Sequence, residues 1–354
     1  MVRAPARRAY PSFQFALLDF IHRDGHFLPH AGTWWGRDFT NLYFGGRFAV
    51  AEGINVYDQA AYLPALREQG ILAGQNYSYP PATLAIGFLL SLLPYVAALL
   101  LWSLAGLACF LVAARRYINF PWPWLLLLPA TVPFPNGQWG LFVAALWLWS
   151  FAGSGSAAGL LTMKPHLGIL LAPALAFKRR WRQMAVAVAV TLLIWLSAEW
   201  AFGLTRSYLT VGAETQMAIL TTRSDQPFFS AMPSTYAALR LFPFAWWAHA
   251  AVAVASLALL WGLRQQPLIR LAFPLATASF LVLPYGFAYD MAVVSLGFLT
   301  LLHTRWGDLT WPSRAMAIGG YLSVAFPQAA PVLLLAGLWV QRQVLRSLPR
   351  PAED

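Results

Sequence analysis

The chain has 354 residues, of which 59% are hydrophobic and 15% aromatic, with 17 Trp, yet only 10% are charged. Soluble domains carry roughly a quarter charged residues, so this composition excludes an ordinary soluble globular protein; disorder is excluded as well, because it needs polarity. The net charge of +11 comes from 24 Lys and Arg against 13 Asp and Glu and sits in short clusters between apolar segments, such as Lys178-Arg179-Arg180-Trp181-Arg182, a pattern that sets membrane topology rather than binding nucleic acid.

Residues 1–21 are basic and then moderately apolar, with Asp19 interrupting the run, which makes them an N-terminal tail or a degenerate first membrane helix. No small-residue cleavage site follows, so they do not read as a signal peptide. Residues 22–81 follow as a polar stretch rich in aromatic, Gly and Pro residues, expected to be an ordered outer loop packed on the membrane. His22, His26 and His30 have the spacing of ligands on one helix face, but Gly25 and Pro29 interrupt the helix and no metal site is expected.

Apolar segments then run at 82–93, 95–114, 121–135, 137–152, 156–177, 183–203, 244–263, 268–284, 289–303, 315–326 and 331–341. They divide the chain into membrane segments over 82–203, a second outer loop at 204–241, membrane segments over 242–341 and a cytoplasmic tail at 342–354. The expected fold is an all-α polytopic membrane protein with about 9–11 membrane segments. Cys109 lies alone in an apolar run, so no intramolecular disulfide forms.

The clusters 178–182 and 264–270 and the tail residues Arg342, Arg346 and Arg350 are expected on the cytoplasmic side. The loop 204–241 is then outside. If 22–80 is outside too, an odd number of crossings separates it from residue 178. Five short crossings satisfy that parity, and so do three if 82–114 is one long span and 121–152 one broken span. Arg115 and Arg116 face outside in the first case and inside in the second.

The polar content sits where a reaction surface needs it. The first loop carries Arg37-Asp38-Phe39, Asn41, Tyr43, Gly45-Gly46, Gly53, Tyr57-Asp58 and Tyr77-Ser78-Tyr79-Pro80-Pro81. A carboxylate beside aromatic rings suits carbohydrate chemistry, since rings stack on sugar faces while the carboxylate accepts a proton from an attacking hydroxyl; a solvated loop with structural Tyr, Gly and Pro is the alternative. Lys164-Pro165-His166 falls inside the run 156–177. A membrane-embedded Lys faces a cavity or an anionic partner, or snorkels to an interface, and a lipid phosphate is an obvious partner. Asn136-Gly137-Gln138 either binds sugar hydroxyls or makes a turn, and Asp290 is either a second site carboxylate or an ordinary interfacial Asp. Gly153-Ser154-Gly155 with Gly159 misses the dinucleotide and P-loop patterns. The chain has no Asp-x-Asp pair, so a metal-dependent nucleotide-sugar site is unsupported.

The order Asp38-Phe39, Tyr43 to Gly46, Gly53, Tyr57-Asp58, Tyr79-Pro80-Pro81, Pro94, Gly137-Gln138 and Lys164-Pro165-His166 resembles glycosyltransferase family 87. Met232-Pro233-Ser234 with Ala237-Ala238-Leu239-Arg240 resembles the family's outer loop. The resemblance implies a GT-C-like multi-helix bundle in the cell (inner) membrane, with its active site on the non-cytoplasmic face. It implies a polyprenyl-phosphate sugar donor, mannose by family default, and a lipid or glycan acceptor. Asp38 matches the family's loop aspartate and becomes the general base. Lys164, His166, Arg37 and Tyr79 are placed on the donor phosphate, and Asn41, Tyr43, Tyr57, Asp58, Gln138 and Asp290 on the sugar or acceptor. The reaction is expected to invert the anomeric centre with neither metal nor cofactor. Two departures from the family are visible: the first membrane helix is degenerate, and Tyr289-Asp290 stands where some members have His. A transporter or flippase of a lipid-linked sugar is the second reading, though no repeat symmetry is visible; a non-catalytic membrane assembly protein is the third, and it has no need of Lys164 in mid-segment.

Overall fold

The structure is a computed structural model in which residues 27–28, 33–34, 36–72, 76–118, 137–221 and 227–349 are described. Residues 1–21, the three histidines His22, His26 and His30, the segment 121–135 and Asn136 lie outside the described residues. Apart from a two-residue antiparallel pair, β1 (Phe27–Leu28) and β2 (Thr33–Trp34), the regular elements are helical.

Helix α1 (Arg37–Ala51) starts at Gly36 and packs against α3 (Ala82–Ser91), with the short α2 (Gln59–Glu68) between them in sequence. The chain breaks at Leu92–Pro94 before α4 (Tyr95–Ala114), because Pro94 is extended (ψ 140°). The run 82–114 is therefore two helices, not one long span. Helix α5 (Gly140–Phe151) is apolar all round and buried over most of its length, the pattern of a central helix. It touches α4, α6 (Gly155–Leu160), α12 (Ala272–Val282) and α13 (Ala292–Arg305). Between α6 and α12 come α7 (Leu171–Phe177), α8 (Trp181–Phe202), α9 (Ala213–Thr221), α10 (Thr235–Leu239) and α11 (Ala245–Trp261). Helices α14 (Trp311–Leu322) and α15 (Ala330–Ser347) close the chain. Helix α15 runs on through Ser347, so Arg342 and Arg346 are helical.

Among the described residues two helices, α4 and α8, are long and apolar enough to cross a membrane, and several shorter ones are comparably apolar. Only 6% of the most apolar stretch of α8 is buried within the protein, and Leu193, Leu196 and Trp200 point outward. An apolar surface this continuous has lipid rather than water as its neighbour. Exposed Trp181 and Trp200 mark the two ends of α8, about 28 Å apart at 1.5 Å per residue. That spacing matches a hydrocarbon core of about 30 Å flanked by aromatic belts.

The basic clusters, far apart in sequence, meet at one end of the fold. Lys178 Nζ donates to the Arg264 carbonyl at 2.6 Å, Arg346 Nε to that of Gly262 at 3.2 Å, and Arg270 to that of Pro349 at 2.9 Å. Gln183 ties Ser150 to the start of α8 at 2.7 Å. Tyr117 Oη donates to Leu148 at 2.7 Å, which brings Arg115 and Arg116 to the same end. At the opposite end the two polar stretches touch each other: Asn55 donates to Ser207 at 3.1 Å and Gln59 to Thr215 at 3.1 Å.

The run 156–177 differs from an ordinary span. Helix α6, N-capped by Ser154 (Ala157 N–H at 3.1 Å), lies along only the first half of α8, with Gly155 against Val186 and Gly159 against Val190. After Lys164-Pro165 the chain turns back through α7 to Lys178, beside the start of α8. Both ends of 156–177 thus lie at the basic end, and the turn between them carries Lys164. The physical reason is Pro165: it disfavours helix at the residue before it, and Lys164 sits at φ −141°, ψ 71°.

Candidate active site

Four separate stretches converge on the end of α5. The first is the start of α1. Gly36 adopts φ 77°, its carbonyl accepts the Thr40 N–H at 3.1 Å and the Tyr95 hydroxyl at 3.3 Å, and this fixes Arg37-Asp38-Phe39. The second is Gly137-Gln138-Trp139, whose Gly137 carbonyl accepts from Trp102 Nε1 at 3.0 Å. Gly137 has φ 61°, and a Cβ there would meet Phe39 at 2.6 Å. The third is the turn Leu161–Gly168 that presents Lys164 and His166. The fourth is the turn Ala288–Asp290. It packs so closely on α5 that a Cβ at Gly140 would collide with the Tyr289 carbonyl.

Lys164 Nζ donates to both carboxylate oxygens of Asp290, at 2.5 Å and 2.6 Å. The Asp290 side chain is fully buried and that of Lys164 nearly so. The ammonium also lies 5.0 Å from the centre of the Tyr289 ring, a cation–π distance. Two charges in an apolar setting stabilise each other only with such geometry. An ammonium has three donors, so one N–H remains beyond the two given to Asp290.

Asp38 is half-buried, and no hydrogen bond engages its carboxylate among the described residues. It lies in the electrostatic range of both members of the pair: burial raises its carboxyl above the ordinary carboxylate value, Arg37 and Lys164 pull it down, and Asp290 pushes it up. Tyr289 lies against the Lys164 ammonium, Tyr285 against His166 and Tyr79 against Trp139, and these rings form a wall beside the pair, within electrostatic range of Asp38 and Asp290. The His166 ring meets Tyr285 edge-on at 5.9 Å, with Nε2 buried and unpartnered. The stretch around Phe229 to Ser234 caps this wall, since Ser234 donates to the Pro284 carbonyl at 2.8 Å and Phe229 and Met232 pack with Tyr285 and Phe287.

The structure thus brings Asp38, Lys164, Asp290, Tyr79 and His166 together, with Arg37 beside Asp38 and exposed. Gln138 joins them through its neighbours. Four other residues placed on the sugar by the sequence reading have their polar atoms engaged in the scaffold. Asn41 donates to the Asn76 carbonyl at 2.8 Å and accepts from Tyr62 at 2.5 Å. Tyr43 donates to the Leu93 carbonyl at 2.9 Å, which closes the α1–α3 hairpin, and Tyr57 to the Tyr79 carbonyl at 2.7 Å. Asp58 is exposed and caps α2 by accepting the Ala60 N–H at 2.9 Å. Sequence reasoning missed the walls Tyr285 and Tyr289, the orphan indole of Trp139 and the pairing of Lys164 with Asp290. Two opposite charges in apolar segments tend to pair with one another, and that rule was the available signal.

The profile of Glycosyltransferase family 87 matches residues 77–284, more than half of the chain. The chain belongs to glycosyltransferase family 87. Membership makes it a glycosyltransferase, working with a sugar donor and an acceptor, and together with the apolar helices it identifies a membrane protein. The family 87 match includes Tyr79, Gln138, Lys164 and His166, while Asp38 precedes it and Asp290 follows it. Neither the curated proteins nor the solved structures give a match.

Proposed function

We propose that this family 87 chain is a multi-pass inner-membrane hexosyltransferase with a GT-C-like bundle. It moves a hexose, mannose by family default, from a polyprenyl-phosphate donor to a hydroxyl of a lipid or glycan acceptor. The observation that carries the reading is the convergence of Asp38 with the Lys164–Asp290 pair inside one wall of Tyr79, Tyr285 and Tyr289. The acceptor oxygen attacks the anomeric carbon in line, and the bond from that carbon to the phosphate oxygen breaks. The phosphate keeps the electron pair, Asp38 takes the acceptor proton, and the configuration inverts. Lys164 offers its remaining N–H to the phosphate and meets the growing charge where water is scarce, an electrostatic contribution that needs no rearrangement in the transition state. His166 stands beside Lys164, and Arg37 beside Asp38.

The orientation reading rests on the basic end. Arg116, Arg180, Arg264 and Arg346 share it, and such clusters favour the cytoplasm. The reaction groups then open to the other side. With 156–177 turning back at Lys164 it adds no crossing, and the odd parity is kept when 82–114 changes side once in all, α4 crossing and the short α3 returning to the side where it starts. Purified protein incubated with radiolabelled polyprenyl-phosphate mannose and a membrane lipid extract is expected to yield a labelled product. A native chain that transfers nothing from that donor or its glucose and galactose counterparts would sink the reading, and a transporter would move label across vesicles without bond exchange.

A further inference from the structure

Two adjacent residues at the head of α5 hold buried polar groups to which the mechanism above gives no role. Gln138 and Trp139 are 5% and 3% exposed, yet among the described residues neither amide atom of Gln138 nor Nε1 of Trp139 has a hydrogen-bond partner. Orphaned buried polar groups are rare in folded proteins and call for a ligand, a water or a functional reason. Their position supplies the reason. Gly137, just before them, packs on Phe39 next to Asp38, and Gly140, just after, packs on Tyr289-Asp290. The Trp139 ring lies 6.0 Å from that of Tyr79 and 4.7 Å from that of Trp102.

We infer that Gln138 and Trp139 form the subsite that reads the hydroxyls of the transferred sugar, with the amide taking two neighbouring ring hydroxyls and the indole N–H a third oxygen. The chemistry of the two side chains favours this over a phosphate. A carboxamide presents an acceptor oxygen beside an NH2 donor, which fits a vicinal diol that both donates and accepts, whereas an anionic phosphate only accepts and is repelled by the amide oxygen. The neighbouring rings suit a sugar's apolar face. The inference rests on the glycosyl-transfer reading above and names the group within that site that sets sugar preference.

Gln138→Met keeps the volume and removes both orphan atoms, and Trp139→Phe keeps an aromatic ring while removing the N–H. Because these atoms bond to nothing in the resting protein, both variants are expected to unfold at or above the native temperature. Each is expected to lose about tenfold to a hundredfold in donor kcat/KM, the worth of one or two hydrogen bonds. The probes are polyprenyl-phosphate mannose and its 2-, 3-, 4- and 6-deoxy forms. At each of the two positions that Gln138 reads, the deoxy donor costs the native chain part of that factor and costs Gln138→Met nothing further. Native activity with unchanged kcat/KM in both variants overturns the inference, since the orphans then hold only water. So do variant and deoxy losses that multiply at every position, or a thermal loss in both variants, which marks a structural role. A native chain inactive with every polyprenyl-phosphate sugar overturns the donor reading itself and this inference with it.

Discussion

Lys164 and Asp290, 126 positions apart in sequence, form a buried two-pronged ion pair at 2.5 Å and 2.6 Å, and no other described ion pair is buried in this way. The pair joins the turn in the half-length hairpin of 156–177 to the turn between α12 and α13, and it holds a fixed cation where the proposed leaving phosphate forms. Removing one partner leaves the other as an uncompensated buried charge. Lys164→Met or Asp290→Leu alone is expected to cost about 3–5 kcal/mol, and the double substitution less than the sum. Thermal unfolding in detergent of the three variants checks this, and simple additivity would show that the two charges do not depend on each other.

Asp38 is not needed for the fold in the same way, since no described hydrogen bond uses its carboxylate. Asp38→Asn is expected to keep native stability while transfer falls by about 10²–10⁴, the usual worth of a positioned base. Donor retention on the variant, measured by binding of labelled donor, separates loss of chemistry from loss of the site.

The acid limb of kcat/KM is expected above the ordinary carboxylate range, because burial raises Asp38 and the base works only when ionised. Activity therefore falls as pH drops through that raised value. Arg37 is the first of the charges pulling the carboxyl down, so Arg37→Gln is expected to move the acid limb to still higher pH. A pH profile with an unmoved or lowered limb would contradict the assignment of Asp38 as the titrating base.

Gly140 is the contact on which the pair depends. A methyl group there meets the Tyr289 carbonyl, and backbone cannot swing aside as a flexible side chain does. Gly140→Ala is expected to destabilise by about 1–3 kcal/mol through overpacking and to lower kcat by shifting Asp290 away from Lys164. Gly307→Ala, with nothing within 4 Å of its added Cβ, serves as the control that leaves turnover unchanged.

The hairpin makes a topological prediction. In a chain with Cys109 replaced by Ala, single cysteines at Arg116, Gly153 and Arg180 are expected to react with a membrane-impermeant thiol reagent from one side, and a cysteine at Glu68 from the other. Reaction of Gly153→Cys and Arg180→Cys from opposite sides would make 156–177 a crossing.

Much of this was legible in the sequence where the signal is local. Apolar runs without charge gave the helices, and 183–203 became α8 within two residues at its start. Pro94 marked the break that divides α3 from α4, and Lys164-Pro165 marked the break inside 156–177. What sequence cannot carry is which side of a broken segment its end returns to. That depends on Gly155 and Gly159 meeting Val186 and Val190, contacts between elements that periodicity does not encode. The same holds for the side chains of the first loop. Tyr43 and Tyr57 have the composition of a sugar platform, but a Tyr hydroxyl that reaches a free carbonyl is a brace, and only the folded chain shows that Leu93 and Tyr79 supply those carbonyls. Gln138 is the opposite case: its motif suggested a turn as readily as a ligand contact, and the absence of any partner is what sets it apart.

The half-length packing of α6 on α8 also couples chemistry to lipid. Helix α8 bridges its two exposed tryptophans, Trp181 and Trp200, so in a bilayer thinner or thicker than this span it relieves hydrophobic mismatch by tilting. Gly155 and Gly159 ride on its first half, and the turn bearing Lys164 projects beyond them. A tilt of α8 therefore swings the cation relative to Asp38 on α1, and acyl-chain length becomes a determinant of turnover even for a lipid that never enters the site.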